Sequence, residues 1–264
     1  MQVQRGLGAS KLAISSVGGT INVLTKSTEL TKGGKIAATV GNDGYMKTVM
    51  SYNTGEMEGG SALSFLFSRV EGDGYVNGTS FEGYNYFLGY GWQSDDDKHN
   101  VQVIVTGAPQ THNQRTSSYF NMATAADYEK YGIRYNYNHG FLNGQEFNWR
   151  RNFYHKPIAS VNWEYEINST TNLSASAYYS VGRGGGTGDI GRLGGNYASS
   201  SRFRSDITGE VEWDQIVRSN SGQGGNWSGG YSYNNVVDAA TGLYIVNDQD
   251  ETVDGVKRNG FVRR

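Results

Sequence analysis

The chain has 264 residues, among them 38 glycines, 19 tyrosines, 5 tryptophans, 2 prolines and no cysteine, with a formal net charge of -2. The lack of cysteine excludes a disulfide scaffold and thiol chemistry, and the dispersed basic residues leave no electrostatic footprint for nucleic acid. No run approaches the ~18 apolar residues of a membrane helix, so only strands are left as a way for this chain to cross a bilayer.

Residues 1–32 are rich in glycine and β-branched residues, and Ser16 to Thr25 reads as one strand around the Gly18-Gly19 turn. From Lys35 the sequence takes up a period of two, in which successive side chains point to opposite faces. Ile36, Ala38 and Val40 oppose Lys35, Ala37 and Thr39, and Asn42-Asp43-Gly44 predicts a hairpin turn. Residues 45–54 return with Met46, Met50 and Tyr52 on one side, and Gly55 to Gly60 turns the chain again. Leu63, Phe65 and Phe67 then oppose Ser64, Leu66 and Ser68, followed by a loop from Glu71 to Gly83. Tyr84, Tyr86, Leu88, Tyr90 and Trp92 share the next apolar face, with Asn85, Gly89, Gly91 and Gln93 behind it. Asp95 to His99 is a polar turn, and Val101, Val103 and Val105 rise into a long loop at about 111–156. Strand six descends from about Pro157, with Val161, Trp163, Tyr165 and Ile167 opposite Ser160, Asn162, Glu164 and Glu166. After the turn at Asn168 to Asn172, Leu173, Ala175, Ala177, Tyr179 and Val181 oppose Ser174, Ser176, Tyr178 and Ser180. Residues 182–264 read as one long glycine-rich loop.

Short connections on one rim, long loops on the other and aromatic-rich apolar faces predict an all-β fold, an antiparallel transmembrane β-barrel. Loops longer than about 15 residues are uncommon in compact soluble domains but are expected on the outer side of such a barrel. The alternative is a soluble carbohydrate-binding or adhesive β-domain that buries the same apolar faces against a second layer. A spanning sheet must close, because hydrocarbon offers no partner for free backbone groups. Seven strands fall short of the roughly eight with which single-chain barrels begin, so the expectation is a barrel fragment, or protomers that complete one barrel together.

Two sets of residues resemble a known family. Gln4-Arg5-Gly6-Leu7-Gly8-Ala9-Ser10, with Val17-Gly18-Gly19-Thr20-Ile21-Asn22-Val23-Leu24-Thr25-Lys26, is similar to the end of the plug domain of TonB-dependent outer-membrane receptors. Arg5, Gly6, Gly18, Gly19, Ile21 and Asn22 carry that motif, which lies immediately before the first barrel strand as it does in the family. The stretches Thr106 to Arg115, Phe153 to Pro157 and Gly182 to Gly188 resemble the SusC/RagA branch. The resemblance implies that residues 1–32 end a plug and residues 33–264 begin a barrel of about 22 strands with a plugged lumen. It also implies import of an oligosaccharide or peptide across the bacterial outer membrane. The partners implied are the TonB-ExbB-ExbD energising complex, reached through a more N-terminal part, and a SusD-like surface lipoprotein. The family's signal sequence, TonB box, most of its plug and its later strands have no counterpart here, so an internal fragment is expected.

Chemistry-bearing motifs are sparse, and neither an enzyme, a metal site nor a cofactor is expected. His99, His112, His139 and His155 lack the i, i+4 spacing of a metal site. His112 and His155 could approach each other across the mouths of strands five and six, where they would pin the loop base rather than ligate zinc. The Gly182 to Gly188 run lacks the helix and lysine of a phosphate loop. Asn247 to Glu251, with Asp254, gathers carboxylates at offsets that do not fit a calcium loop. The long loop is rich in aromatics, including Tyr135, Tyr137 and Trp149. These either contact a sugar or peptide ligand or form a small core that holds the loop together. Thr124 with Asp127 predicts a capped helix over Ala125 to Tyr131, and Trp213 to Arg218 a second one.

Overall fold

The computed structural model describes residues 27–115, 123–188, 196–197, 200–221, 223–230 and 232–233, with short paired segments at 2–4, 20–22, 252–253 and 256–257. β1 (Gln2–Gln4) pairs antiparallel with β2 (Thr20–Asn22), which holds the motif residues Ile21 and Asn22. Arg5, Gly6, Gly18 and Gly19 lie outside the described residues, as does the acidic stretch from Asn247 to Glu251 with Asp254. A single 3-10 turn at Ser27–Glu29 leads into the main sheet.

That sheet is an up-and-down meander. β3 (Gly33–Val40), β4 (Met46–Asn53), β5 (Ser61–Gly72), β6 (Phe81–Gln93) and β7 (His99–Gly107) pair in chain order, each antiparallel to the last. β8 (Gln110–Asn113) opens an excursion through α1 (Ala125–Tyr131), β9 (His139–Leu142), β10 (Gln145–Asn148) and β11 (Arg151–His155). The chain then returns as β12 (Ile158–Asn168) beside β7, followed by β13 (Thr171–Ser180). β14 (Arg183–Gly186), β15 (Val211–Glu212), α2 (Trp213–Asn220), β16 (Gly225–Asn226) and β17 (Ser232–Tyr233) follow. The β3–β4 turn sets Asp43 and Gly44 at φ of 55° and 68°. Two successive left-handed residues match the twist of the strands they join, which the predicted Asn-Asp-Gly turn supplies.

Burial in the wall is the reverse of a soluble sheet. Leu63 is 50% exposed, Leu88 58%, Val161 45% and Tyr179 72%, whereas Ala62, Ser64, Ser68 and Gln102 on the opposite face are buried. Cross-strand register keeps the apolar set together: Tyr52, Phe65 and Leu88 align, as do Tyr90, Val103 and Val161. Near the β6–β7 turn the apolar face ends in stacked rings. His99 lies 4.2 Å from Tyr165 and 6.0 Å from Trp163, whose indole N–H donates to His99 Nδ1 at 3.3 Å. At its other end the apolar face gives way to charge, where Arg69 bridges Glu71 at 2.6 Å and Glu82 at 2.7 Å.

Those charges correct the expected loop from Glu71 to Gly83. Glu71 still pairs with Glu82 and Gly72 with Phe81, so the connection shrinks to residues 73–80. The strand outlives its apolar alternation because Arg69 neutralises the two carboxylates across the ladder. β5, at 12 residues, reaches ~40 Å, well beyond the ~25 Å apolar band of an outer-membrane barrel.

The expected long loops are also largely structured. β8 pairs with both β6 and β11, and β11 pairs with β14, so the wall continues above β7, β12 and β13. The breaks fall at Pro109, between β7 and β8, and at Pro157, between β11 and β12. These are the chain's 2 prolines. A proline has no N–H for the ladder, so it ends a central strand where it stands.

Above this level residues from 123–150 and 200–230 fold together. Trp149, Phe203, Val211, Trp213, Ile216 and Trp227 form a buried core, with Phe147 and Leu142 packed against it. β9 joins β10 and, in parallel, β15. α1 starts as predicted, with Thr124 N–H donating to Asp127 Oδ2 at 2.7 Å and Asp127 N–H to Thr124 Oγ1 at 3.2 Å. α2 also forms, two residues longer than expected, and buries Trp213 and Ile216 on one face. The unit rests on the β5–β6 connection, where Asn148 Nδ2 donates to Gly78 O at 2.8 Å and Asn136 Nδ2 to Asn77 O at 2.7 Å. Because this core is separate from the wall, Trp213→Ala should cost it about 3–5 kcal/mol and leave the sheet intact. Hydrogen exchange should then accelerate in β9 and α2 while the β5–β6 amides keep their protection.

Candidate functional site

The inner face of the wall, opposite the apolar one, holds the segment that precedes β3. Ser27 N–H donates to Gln102 Oε1 of β7 at 3.2 Å, and Ser27 itself is buried. Two glycines of β6 make room. A Cβ on Gly89 would stand 2.6 Å from Ser27 Oγ, and one on Gly91 would stand 3.0 Å from Thr28 Cγ2 and 2.7 Å from Gln102 Nε2. Gly89 faces Ser64 and Gly91 faces Ala62 across β5, so the β5–β6 side of the seat is lined with small side chains. Glycine inside a strand marks a close backbone approach, and Gly89-x-Gly91 is the signal in the sequence that locates this seat. Sequence reasoning placed both glycines on the polar face without assigning them a partner.

Charge is distributed unevenly over the same face. The inward positions of β5, β6, β7, β8 and β11 carry Ala, Ser, Leu, Val, Gly, Phe, Asn, Gln, Ile, Thr, His and Tyr, with no Asp, Glu, Lys or Arg. Glu164 and Glu166 lie at the β12 turn end, and Lys35 and Lys47 lie on β3 and β4. The wall above the seat therefore offers amide, hydroxyl and aromatic groups.

The loop aromatics have a different destination. Tyr135 and Trp149 are each only 5% exposed, turned into the folded unit above the wall, so for these two the small-core reading is the one the geometry fits. Tyr135 O–H donates to Gly209 O at 2.7 Å. Tyr137 is half-buried beneath Arg204, whose guanidinium carbon lies 4.0 Å from the ring centroid. Arg204 also donates to Tyr137 O at 2.5 Å and Gly209 O at 3.3 Å, which ties residues 135–137 to the 204–209 turn. Aromatic composition does not separate the two roles, because amphipathic rings serve a ligand surface and a loop core equally well.

The histidines separate too. His112 aligns with Asn152 of β11, three positions from His155, so the two rings lie on opposite faces of the wall and the expected approach does not occur. His155 Nε2 instead lies 3.0 Å from Tyr86 O–H on the outer face. His139 is buried, 3.5 Å from Glu210. The glycine run contributes β14, a strand paired to β11, and no phosphate cradle.

No family model matches the chain, and no curated protein matches it. Among solved structures it is similar to the siderophore receptor PiuA from Acinetobacter baumannii, with a TM-score of 0.51 and 14% identity over 70% of this chain and 26% of that one. The chain thus spans about a quarter of the length of the solved receptor it matches. At that identity the likeness is one of fold alone: the antiparallel meander matches part of that receptor's fold. Its outermost described strands, β3 and β13, are left as the edges of an open sheet.

Two outcomes follow from this geometry. Gly91→Leu should dislodge residues 27–32 from the wall at a cost of about 1–3 kcal/mol, read as faster tryptic cleavage at Lys32. Burial pushes the Tyr135 hydroxyl up to about 12. A raised folded-state value favours the neutral phenol, so this stabilisation is whole below the ordinary tyrosine value of ~10 and is lost as pH rises through about 12. Phenolate absorbance should show a last-titrating tyrosine that vanishes in Tyr135→Phe.

Proposed function

We propose that this chain is part of a TonB-dependent receptor in the bacterial outer membrane, importing an oligosaccharide or peptide in the manner of the SusC/RagA branch. The observation that carries the reading is the inverted burial of the wall: bulky apolar side chains face away from the protein, and small polar ones face the seated segment 27–32. In water that arrangement exposes a broad apolar surface at a large cost; in a bilayer it places hydrocarbon against hydrocarbon. A soluble β-domain would need a second layer over Leu63, Leu88, Val161 and Tyr179, and these residues stand exposed. The stacked His99, Trp163 and Tyr165 and the Arg69 cluster then mark the two interfaces, one aromatic and one charged.

Energy would reach the receptor from the TonB-ExbB-ExbD complex, and a SusD-like lipoprotein would present the cargo from above. The branch and the cargo class rest on the resemblance of residues 106–115, 153–157 and 182–188, and the inner faces of β5 to β8 and of β11, which carry no Asp, Glu, Lys or Arg, support them. A barrel for a multiply charged chelate would be expected to line its lumen with counter-charge.

These 264 residues contain no cysteine, so a thiol introduced among them can be read once any cysteine elsewhere in the complete receptor is replaced. In the complete receptor within native outer membranes, Leu88→Cys and Val161→Cys should react with a lipid-soluble maleimide and resist an impermeant one. Asn85→Cys and Ser176→Cys, on the inner face, should show the opposite preference. Equal reactivity of both pairs toward the impermeant reagent would rule the proposal out.

A further inference from the structure

At the charged end of the outward apolar face lies a cavity of about 470 Å³, bordered by Arg69, Glu71, Asp73, Glu82, Thr111 and Arg151. That volume is in the ~300–1,000 Å³ range of small-ligand sites. Register puts five of these side chains on the outer face. Arg69 pairs with Tyr84, Glu71 with Glu82 and Glu82 with Thr111, and Arg151 stands two positions from Phe153, the partner of Thr111. Asp73 follows the end of β5, where its N–H donates to Asp43 O at 2.8 Å. A Cβ on Gly44 would collide with the Asp73 carboxylate, so the β3–β4 turn leaves that group its place. Beside and below the cavity the same face continues as Met46, Met50 and Phe67, all of them exposed.

The charges around this cavity are not equally committed. Arg69 serves both Glu71 and Glu82, and Glu82 also accepts from Tyr84 O–H at 2.6 Å. Arg151 engages only its Nε, which donates to Thr111 Oγ1 at 2.7 Å. Among the described residues neither Arg151 nor Asp73 makes an ion pair. One guanidinium fork and one carboxylate are thus left to face a ligand. Two guanidinium groups stand against three carboxylates in the lining, so a head group bringing negative charge alone meets repulsion.

We infer that this cavity seats the head group of a phospholipid that carries both a phosphate and a primary ammonium. The phosphate is held by Arg151 and the ammonium by Asp73, with the acyl chains lying down over Met50 and Phe67. The inference rests on the membrane part of the reading above and adds a lipid partner that import itself does not require. A guanidinium fork matches phosphate oxygens in a bidentate pair. A primary ammonium has three hydrogens to donate, and an ionised carboxylate only accepts. The bilayer supplies such head groups in the polar layer that borders its hydrocarbon, which is where the apolar face of this wall gives way to charge.

The test uses the complete receptor, delipidated in detergent and read by native mass spectrometry with added phosphatidylethanolamine, phosphatidylcholine or phosphatidylglycerol. Phosphatidylethanolamine should be retained best, because the choline nitrogen has no hydrogen to donate and the glycerol head brings no cation. Arg151→Gln and Asp73→Asn should each weaken its retention tenfold or more, and Asp73→Lys should turn the preference toward phosphatidylglycerol. Both positions are exposed, and heat-modifiable migration checks that the barrel of each variant is folded. Retention of none of the lipids, equal retention of all three, preference of the unaltered receptor for phosphatidylglycerol, or phosphatidylethanolamine binding unchanged in both Arg151→Gln and Asp73→Asn would each overturn the site. Cysteine labelling at Leu88 and Asn85 reads the membrane assignment separately, so failure of one proposal is distinguishable from failure of the other.

Discussion

Each strand has two faces, and a one-residue slip would exchange them along its whole length. In this wall that constraint is satisfied in an unusual sense: around the seat small side chains look toward the rest of the protein, while the leucines, valines and aromatics of the opposite face look away from it. Ala62, Ser64, Gly89 and Gly91 are not a failed core but the lining of a seat for Ser27 and Thr28. Replacing them with the leucines and valines of a soluble sheet would leave no space for the chain that enters β3. The inner face at this level is taken by the entering chain, and the proposed membrane setting is one in which outward apolar residues are favourable.

The second organising element is height. Pro109 and Pro157 interrupt neighbouring columns of the wall at corresponding levels, and Val181-Gly182 separates β13 from β14 alongside them. Below, the strands are long, regular and two-sided. Above, β8, β11 and β14 continue the sheet in short pieces, and an independent aromatic core around Trp213 and Trp227 takes over. Arg204 belongs to that upper unit, and its burial lowers its pKa; stacking on Tyr137 and two carbonyl acceptors hold it in place.

Most of the lower wall was legible in the sequence, because alternation of apolar and polar residues is what a two-sided strand writes into it. Asn42-Asp43-Gly44 and Thr124 with Asp127 were legible for a related reason, since local backbone chemistry fixes both without help from distant residues. The upper strands were not. Arg183–Gly186 has no alternating side chains to read, and it pairs through backbone alone with a partner some thirty positions earlier. The Arg69 cluster hid the tops of β5 and β6 behind a charge pattern that resembles a loop. Tyr135 and Trp149 drew attention as aromatics, but only the chain's return brings Gly209 to the Tyr135 hydroxyl and Trp213 to the Trp149 ring.

The mooring of Ser27 has a mechanical corollary. Tension arriving from upstream along the backbone meets the stave formed by β6 and β7 before it meets β3, because Gln102 grips the chain six residues ahead of Gly33. A tug would thus be delivered sideways into the middle of the wall, where neighbouring ladders share the load. The marginal hairpin at the sheet's rim would be spared from peeling.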